Sequence, residues 1–296
     1  METMKLSALK KLVHVERDGK FQSLGFIEDG KPNQLVFIED AKYLHQIDEK
    51  LNITCVVTTP ELALQIPPSM GIIVSDIPRK TFYEVHNYLA TSDFYWKPFD
   101  YRIASSSNID SRAYVAMRSV QIGERCEIGP NVSILPDTII GDDVIIRAGS
   151  VIGTEGFKFE RLRTEMIRVT HAGGVRIGNR VEIQANCCIS KALFGGFTQI
   201  GDDSKLDNLV HVAHGVIIGK RCFIAACAMI AGNAVIGDDV TIGPSVAISA
   251  YGIVVGDGAS VTIGSVVTKD VSPGQRVTGN FAIDHDKYIA FLKGIS

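Results

Sequence analysis

Long apolar runs are missing from this 296-residue chain, and so is any strong excess of charge. The opening segment, METMKLSALKKLVHVERDGK, holds no apolar core of signal-peptide length, and no later stretch reaches the roughly 20 residues that cross a bilayer. The expectation is a cytoplasmic protein without an integral membrane segment. A formal net charge of −3 offers no polyanion-binding surface, which sets nucleic acid aside as a partner. There is no CxxC pair and no zinc spacing among Cys55, Cys126, Cys187, Cys188, Cys222 and Cys227. Reduced, small, packed thiols are the expected state, with no metal and no permanently bound cofactor. A glycine-rich phosphate loop ahead of the repeats is also absent, which excludes a linked nucleotidyltransferase.

What the chain does have is a period of six. Ile122, Ile128, Ile134, Ile140, Ile146 and Ile152 form one run. Ile200, Leu206, Val212, Ile218, Ile224, Ile230, Ile236, Ile242 and Ile248 form a second. A helix repeats every 3.6 residues and an ordinary strand every two, so neither accounts for this spacing. A hexapeptide supplies one short strand and one turn, and three of them close a triangular coil whose aliphatic residues stack inward. The expected fold class is a left-handed parallel β-helix of hexapeptide repeats, an exception to the right-handed crossover rule. It is preceded by a small α/β domain and followed by a short C-terminal helix.

The first hundred residues carry no repeat. Strands are expected at Leu35–Ile38, Ile53–Thr58 and Gly71–Val74, and helices at Asp40–Asn52 and Pro78–Ala90. The domain limits read 1–100 for the α/β domain, 101–279 for the β-helix and 280–296 for the closing helical segment. A linker is expected over Thr91–Arg102, with the aromatic piece Phe94-Tyr95-Trp96-Lys97-Pro98-Phe99. The repeat begins faintly at Ile103, Ile109 and Val115 and slips by one before Ile122. It slips again at Tyr251-Gly252. Two insertions interrupt it, Thr154–Gly174 with Phe157, Phe159 and His171, and Ser190–Gln199 with Phe194 and Phe197. As loops leaving a rigid coil, both are expected to project and grip substrate.

Chemistry concentrates on one rung, Val210-His211-Val212-Ala213-His214. With Val212 inward, His211 and His214 belong at or near the outer surface, and histidine is the side chain poised for proton transfer near neutral pH. Gly232 lies 18 residues, one coil, after His214, so the two stack. A base beside a backbone N–H donor suits acyl transfer: the base takes a proton from the attacking amine or hydroxyl and the donor receives the oxyanion. Two solvent-exposed rung histidines with no catalytic role fit the same spacing. So does a non-catalytic scaffold or nucleotide-sugar binding module.

Lys205-Leu206-Asp207-Asn208 followed by Val212-Ala213-His214 resembles the catalytic rung of the UDP-3-O-acylglucosamine N-acyltransferases of lipid A synthesis. The likeness extends to Gly153-Thr154-Glu155-Gly156-Phe157, to Gly178–Ile183 and to Phe37-Ile38-Glu39-Asp40-Ala41-Lys42-Tyr43, which is similar to the family's uridine-binding segment. The resemblance implies His214 as general base, Asp207 as its orienter and the Gly232 N–H as oxyanion donor. It implies Phe37 and Tyr43 around the uracil, Asp40 as polar base contact, and Asn208 and His211 against substrate. Core packing of Phe37 and Tyr43 between strand and helix stays open. The implied partners are a UDP-linked amino sugar and a thioester on acyl carrier protein or CoA, with a homotrimer as the assembly. The implied lipid A reaction moves a 3-hydroxyacyl group onto an O-acylated UDP-glucosamine. The alternative is a short acyl-CoA acting on a UDP- or dTDP-linked 3- or 4-amino sugar for O-antigen or capsule. Departures fall at Cys187–Lys191, where the family has Asp-Arg-Gly, at His211 in place of glutamine, and at Tyr251-Gly252 in place of a second histidine.

Overall fold

The computed structural model describes residues 3–48, 52–96, 98–249, 252–279 and 285–294. Lys97 and Tyr251, both named above, lie outside them. Two compact units emerge, one of residues 1–100 with 155–174 and 191–197, the other of residues 101–154, 175–190 and 198–296.

The second unit is a parallel β-helix. Its short strands line up in three parallel sheets of eight, eight and nine strands. From Ile122 to Val267 each hexapeptide buries two positions, the aliphatic residue and the residue two before it: Val144 with Ile146, Cys187 with Ile189, Val210 with Val212, Cys222 with Ile224, Val240 with Ile242. The earlier position is tight, which is why cysteine and alanine recur there. Burial pushes the Cys187 thiol up to about 11, so it stays protonated and inert at neutral pH. All six cysteines are free.

From Ser119 onward the turns of the coil carry a left-handed residue on the same six-residue beat, among them Arg125, Asn131, Asp137, Asp143, Asn186, Asp203, Leu209, Arg221, Asn233 and Asp239. Asn, Asp and Gly tolerate that conformation best, which accounts for their recurrence. At one corner successive coils present Arg125 to Asp143, Arg180 to Asp203 and Arg221 to Asp239 in bidentate pairs of 2.6–2.9 Å. Beside them, Asp142, Asn179, Asp202, Asp238 and Asp257 each accept a backbone N–H from the preceding coil.

The early repeats pair as their spacing requires, Ile103 with Ile122, Ile109 with Ile128 and Val115 with Ile134. Ile140 pairs with Ile177 and Ile183 with Leu206, so the column resumes after each insertion, with a register shift between Ile152 and Thr154 where the first one leaves. The C-terminal helix runs His285–Lys293.

The first unit is built on a five-stranded sheet in the order His14–Arg17, Gly71–Val74, Ile53–Thr58, Gln34–Ile38, Ser23–Leu24, antiparallel at the first pair and parallel thereafter. Helix Pro78–Ala90 buries Phe82, Tyr83, Val85, His86 and Leu89. The helix expected over Asp40–Asn52 is shorter: a 3-10 turn at Ala41–Tyr43 leads into Leu44–Asp48, and residues 49–51 lie outside the described set. The Asp40 side chain caps that turn by accepting the Lys42 N–H at 3.0 Å.

The insertions differ from expectation. Rather than projecting, they fold into the first unit, where Val169, Leu193 and Phe194 are buried in one core with Phe82, Tyr83 and Leu89. The Phe194 ring meets Phe26 at 5.4 Å, Phe82 at 5.7 Å and His86 at 4.9 Å, each edge to face. The expected linker is likewise core: Phe94 and Tyr95 are buried. Tyr95 Oη lies 2.5 Å from His86 Nδ1, and His86 Nε2 lies 2.6 Å from the Thr170 carbonyl, so helix, former linker and first insertion are tied through one imidazole.

Candidate active site

Strand His211–Val212 sits between Cys188–Ser190 on the preceding coil and Met229–Ile230 on the next. Val212 is fully buried, and His211 on the outer face is half-buried. Burial lowers the His211 pKa below that of free imidazole, keeping the ring neutral at pH 7. The outward column that contains it runs Ser133, Val151, Cys188, His211, Met229, Ala247 and Val266. The column starts one coil earlier at Tyr114, and its ionisable groups are that phenol, the Cys188 thiol and His211. The neighbouring sheet presents Glu127, Glu182, Lys205 and Arg276 outward instead. One face of the β-helix is therefore suited to an apolar chain and another is not.

His214 lies at the corner beyond that strand. A Cβ built on Gly232 would stand 2.5 Å from its Cε1, 2.8 Å from Nε2 and 3.0 Å from Nδ1. The backbone of Gly232 thus lies against the imidazole face, and no other residue fits there without displacing the ring. Gly232 is absent from the left-handed positions, so its role is close approach rather than unusual backbone conformation. Among the described residues its N–H has no hydrogen-bond acceptor, while the N–H of Asn233 donates to the His214 carbonyl at 2.9 Å.

Asp207 and His214 flank one strand. The two occupy successive corners of one coil, separated by the His211–Val212 strand. The Asp207 carboxylate accepts the Asn208 backbone N–H at 2.7 Å and its amide at 2.8 Å, and Asn208 Oδ1 accepts the Ala185 N–H at 3.1 Å.

In the first unit, Phe37 is half-buried, its ring 5.1 Å from Phe82 and 6.2 Å from Tyr83. The Arg79 guanidinium lies over it at 5.6 Å. Tyr43 is exposed with the Lys42 ammonium 4.9 Å from its centroid, and its ring does not meet that of Phe37. Asp40 Oδ2 pairs with Lys42 at 3.0 Å; the Lys42 backbone N–H and ammonium hold its carboxyl below the usual range.

Two groupings escaped the sequence reading. Around Phe37, Arg79 pairs with Glu39 at 2.9 Å and Glu160 at 3.7 Å, and Glu160 with Lys158 at 2.5 Å. Between the insertions, Glu155 meets His171 at 3.2 Å and Lys191 at 3.0 Å. Burial raises the Glu155 pKa, but hydrogen bonds from His171 and Lys191 and the Lys191 charge outweigh it and bring the group to about 2. Lys191, a point of departure from the family pattern, is engaged here.

Fold and rung together define a hexapeptide-repeat β-helix protein with an N-terminal α/β domain. Residues 119–154 and 197–232 match the model described as bacterial transferase hexapeptide, and 233–269 that of the hexapeptide repeat of succinyl-transferase. Residues 21–88, ahead of these repeats, match the family model of UDP-3-O-(3-hydroxymyristoyl) glucosamine N-acyltransferase, in line with the resemblance. It is 45% identical over 158 residues to UDP-3-O-acylglucosamine N-acyltransferase 2 of Legionella pneumophila, covering 52% of this chain and 46% of that one. It is 34% identical over 165 residues to the Wolinella succinogenes UDP-3-O-acylglucosamine N-acyltransferase, covering 55% and 51%. The chain thus spans about half the length of the curated relatives it matches. Among solved structures it shares its fold with the UDP-N-acetylglucosamine acyltransferases of Francisella novicida and Campylobacter jejuni. Each has a TM-score of 0.50 at 23% identity, covering 60% of this chain and 66% of the first, and 62% and 74% for the second. Among the described residues no helix is long and apolar enough to cross a membrane.

Proposed function

We propose that this protein is an N-acyltransferase that moves an acyl group from a thioester to the amine of a UDP-linked amino sugar. The observation that carries the reading is the Gly232 backbone against the His214 imidazole. His214 takes the proton from the sugar amine, the nitrogen attacks the thioester carbonyl, and the Gly232 N–H receives the oxyanion. The intermediate then collapses with release of the thiol. The outward column of Val151, Cys188, Met229 and Ala247 supports an acyl chain laid along the coils. His211, neutral and half-buried beside it, contacts substrate, as does Asn208. Phe37, Asp40 and Tyr43 hold the uracil. The donor is acyl carrier protein, the acceptor an O-acylated UDP-glucosamine, the assembly a homotrimer, and the compartment the cytoplasm.

Thiol release from a 3-hydroxyacyl carrier protein, dependent on 3-O-acylated UDP-glucosamine, tests the reading. His214→Ala is expected to lower turnover by roughly 10² to 10⁴ while Kd for the nucleotide sugar stays unchanged. Near-normal turnover in a folded His214→Ala protein would sink it. A second reading, a short acyl-CoA donor and an amino-deoxy sugar, is favoured by the match of residues 233–269 to a succinyl-transferase repeat. Turnover with acetyl- or succinyl-CoA and none with carrier protein selects it.

A further inference from the structure

The first insertion forms an antiparallel hairpin, Phe159–Arg161 against Met166–Arg168, closed by a turn in which Leu162 N–H donates to the Glu165 carbonyl at 2.9 Å. The register opposes Phe159 to Arg168, Glu160 to Ile167 and Arg161 to Met166. Alternation therefore sorts the side chains onto two faces. Glu160 and Ile167 turn inward, Glu160 to Lys158 and Arg79. Phe159, Arg161, Met166 and Arg168 turn outward together, and Phe157 joins them through a ring contact with Phe159 at 5.1 Å.

This outward face is apolar and basic at once. Phe157 is 91% exposed, Met166 57% and Phe159 41%. Arg161 and Arg168 alternate with them, and Arg163 stands at the turn, all three exposed. The acids of the segment are held by other cations: Glu155 by Lys191, Glu160 by Lys158 and Arg79, Glu165 by Lys80. Among the described residues the three arginines have no acidic partner, so a positive patch stands on a chain of net charge −3.

We infer that this hairpin face docks the protein reversibly on an anionic lipid surface. The aromatic and Met side chains enter the headgroup–acyl boundary, and the guanidiniums stay among the phosphates. Charge complementarity and size select this occupant. Six side chains fall well short of the roughly 20 residues a side that a stable protein interface uses. They suit weak interfacial anchoring, where a few apolar groups act with a few cations. The inference stands apart from the acyl-transfer reading, because its test measures no turnover.

The full-length protein is spun with vesicles of pure phosphatidylcholine and with vesicles mixing phosphatidylglycerol into it. Binding to the mixed vesicles alone is expected, weakening as salt rises from about 0.1 M to 1 M and the Debye length contracts from about 10 to 3 Å. Arg161→Gln with Arg168→Gln should weaken binding by roughly 20- to 30-fold, about fivefold for each charge. The Lys double variant should keep it, and Phe157→Ser with Met166→Ser should lose it. These positions are exposed, and circular dichroism verifies folding of each variant. Equal binding to both vesicle types, or unchanged binding by the Gln variant, overturns the inference. So does absence of vesicle binding together with a self-association or a complex with acidic carrier protein that Phe157→Ser abolishes.

Discussion

Gly232 and His214 are one coil apart and in contact, the glycine Cα presenting no side chain to the imidazole: a Cβ would lie 2.5 Å from Cε1. A methyl group here must push the ring, because the glycine is fixed by the parallel ladder on either side. Gly232→Ala keeps the backbone N–H but displaces the base, and is therefore expected to lower kcat by roughly 10²- to 10⁴-fold, the scale of losing general-base catalysis. KM for the nucleotide sugar should change little. A Gly232→Ala protein with wild-type kcat in the thiol-release assay would remove Gly232 from the site.

That contact was legible in the sequence because the repeat converts sequence distance into spatial distance, so 18 residues means one coil. Register, core and the expected stacking of His214 all follow from this conversion. It fails where the period is interrupted. Phe194 and Lys191 sit in the short insertion, and their partners Phe82 and Glu155 are set by tertiary packing that no local spacing encodes. The Asp207 contact is of a different kind: its carboxylate takes the backbone N–H and the amide of its neighbour Asn208, a local bond that the six-residue period does not encode.

His86 makes the first unit sensitive to mild acid. Burial is the main reason its pKa falls to about 4; the Thr170 carbonyl opposes this and His171 adds to it. The unfolded chain holds the same imidazole near the ordinary value of 6.5. Protons therefore bind the unfolded state first. Stability is full above 6.5 and declines as pH falls to about 4, by roughly 3 kcal/mol in all. Urea unfolding followed across that window should show the decline, and a His86→Leu protein should show a flatter one.

The corner ladder predicts a second decline at lower pH. Hydrogen bonds from Arg125, Arg180 and Arg221 hold the carboxyls of Asp143, Asp203 and Asp239 below the ordinary 3.8. Groups lowered by folding stabilise above their unfolded value and lose that stabilisation as pH falls through the folded one. These side chains are exposed, so the effect is screened by salt. Replacing all three with Asn should flatten the loss of stability below pH 3.8 and reduce its dependence on salt. An unchanged acid limb would show that the ladder is ornamental.

Phe194 separates the two interpretations of the insertions most sharply. As a substrate-gripping loop residue it would tolerate truncation, with stability changing by no more than about 0.5 kcal/mol. As found, it is a buried ring meeting Phe26, Phe82 and His86 edge to face, with the Lys31 ammonium 5.4 Å from its centroid. Phe194→Ala opens a cavity among these groups and is expected to cost about 3–5 kcal/mol. The chain supplies its own reporter: Trp96, the single tryptophan, stacks on Phe197 at 5.1 Å within the same unit. Its fluorescence should report a lowered urea midpoint for Phe194→Ala and a smaller shift for Phe194→Leu, which refills part of the volume. A Trp96 transition unmoved by Phe194→Ala would return the short insertion to the solvent-facing loop its sequence suggests.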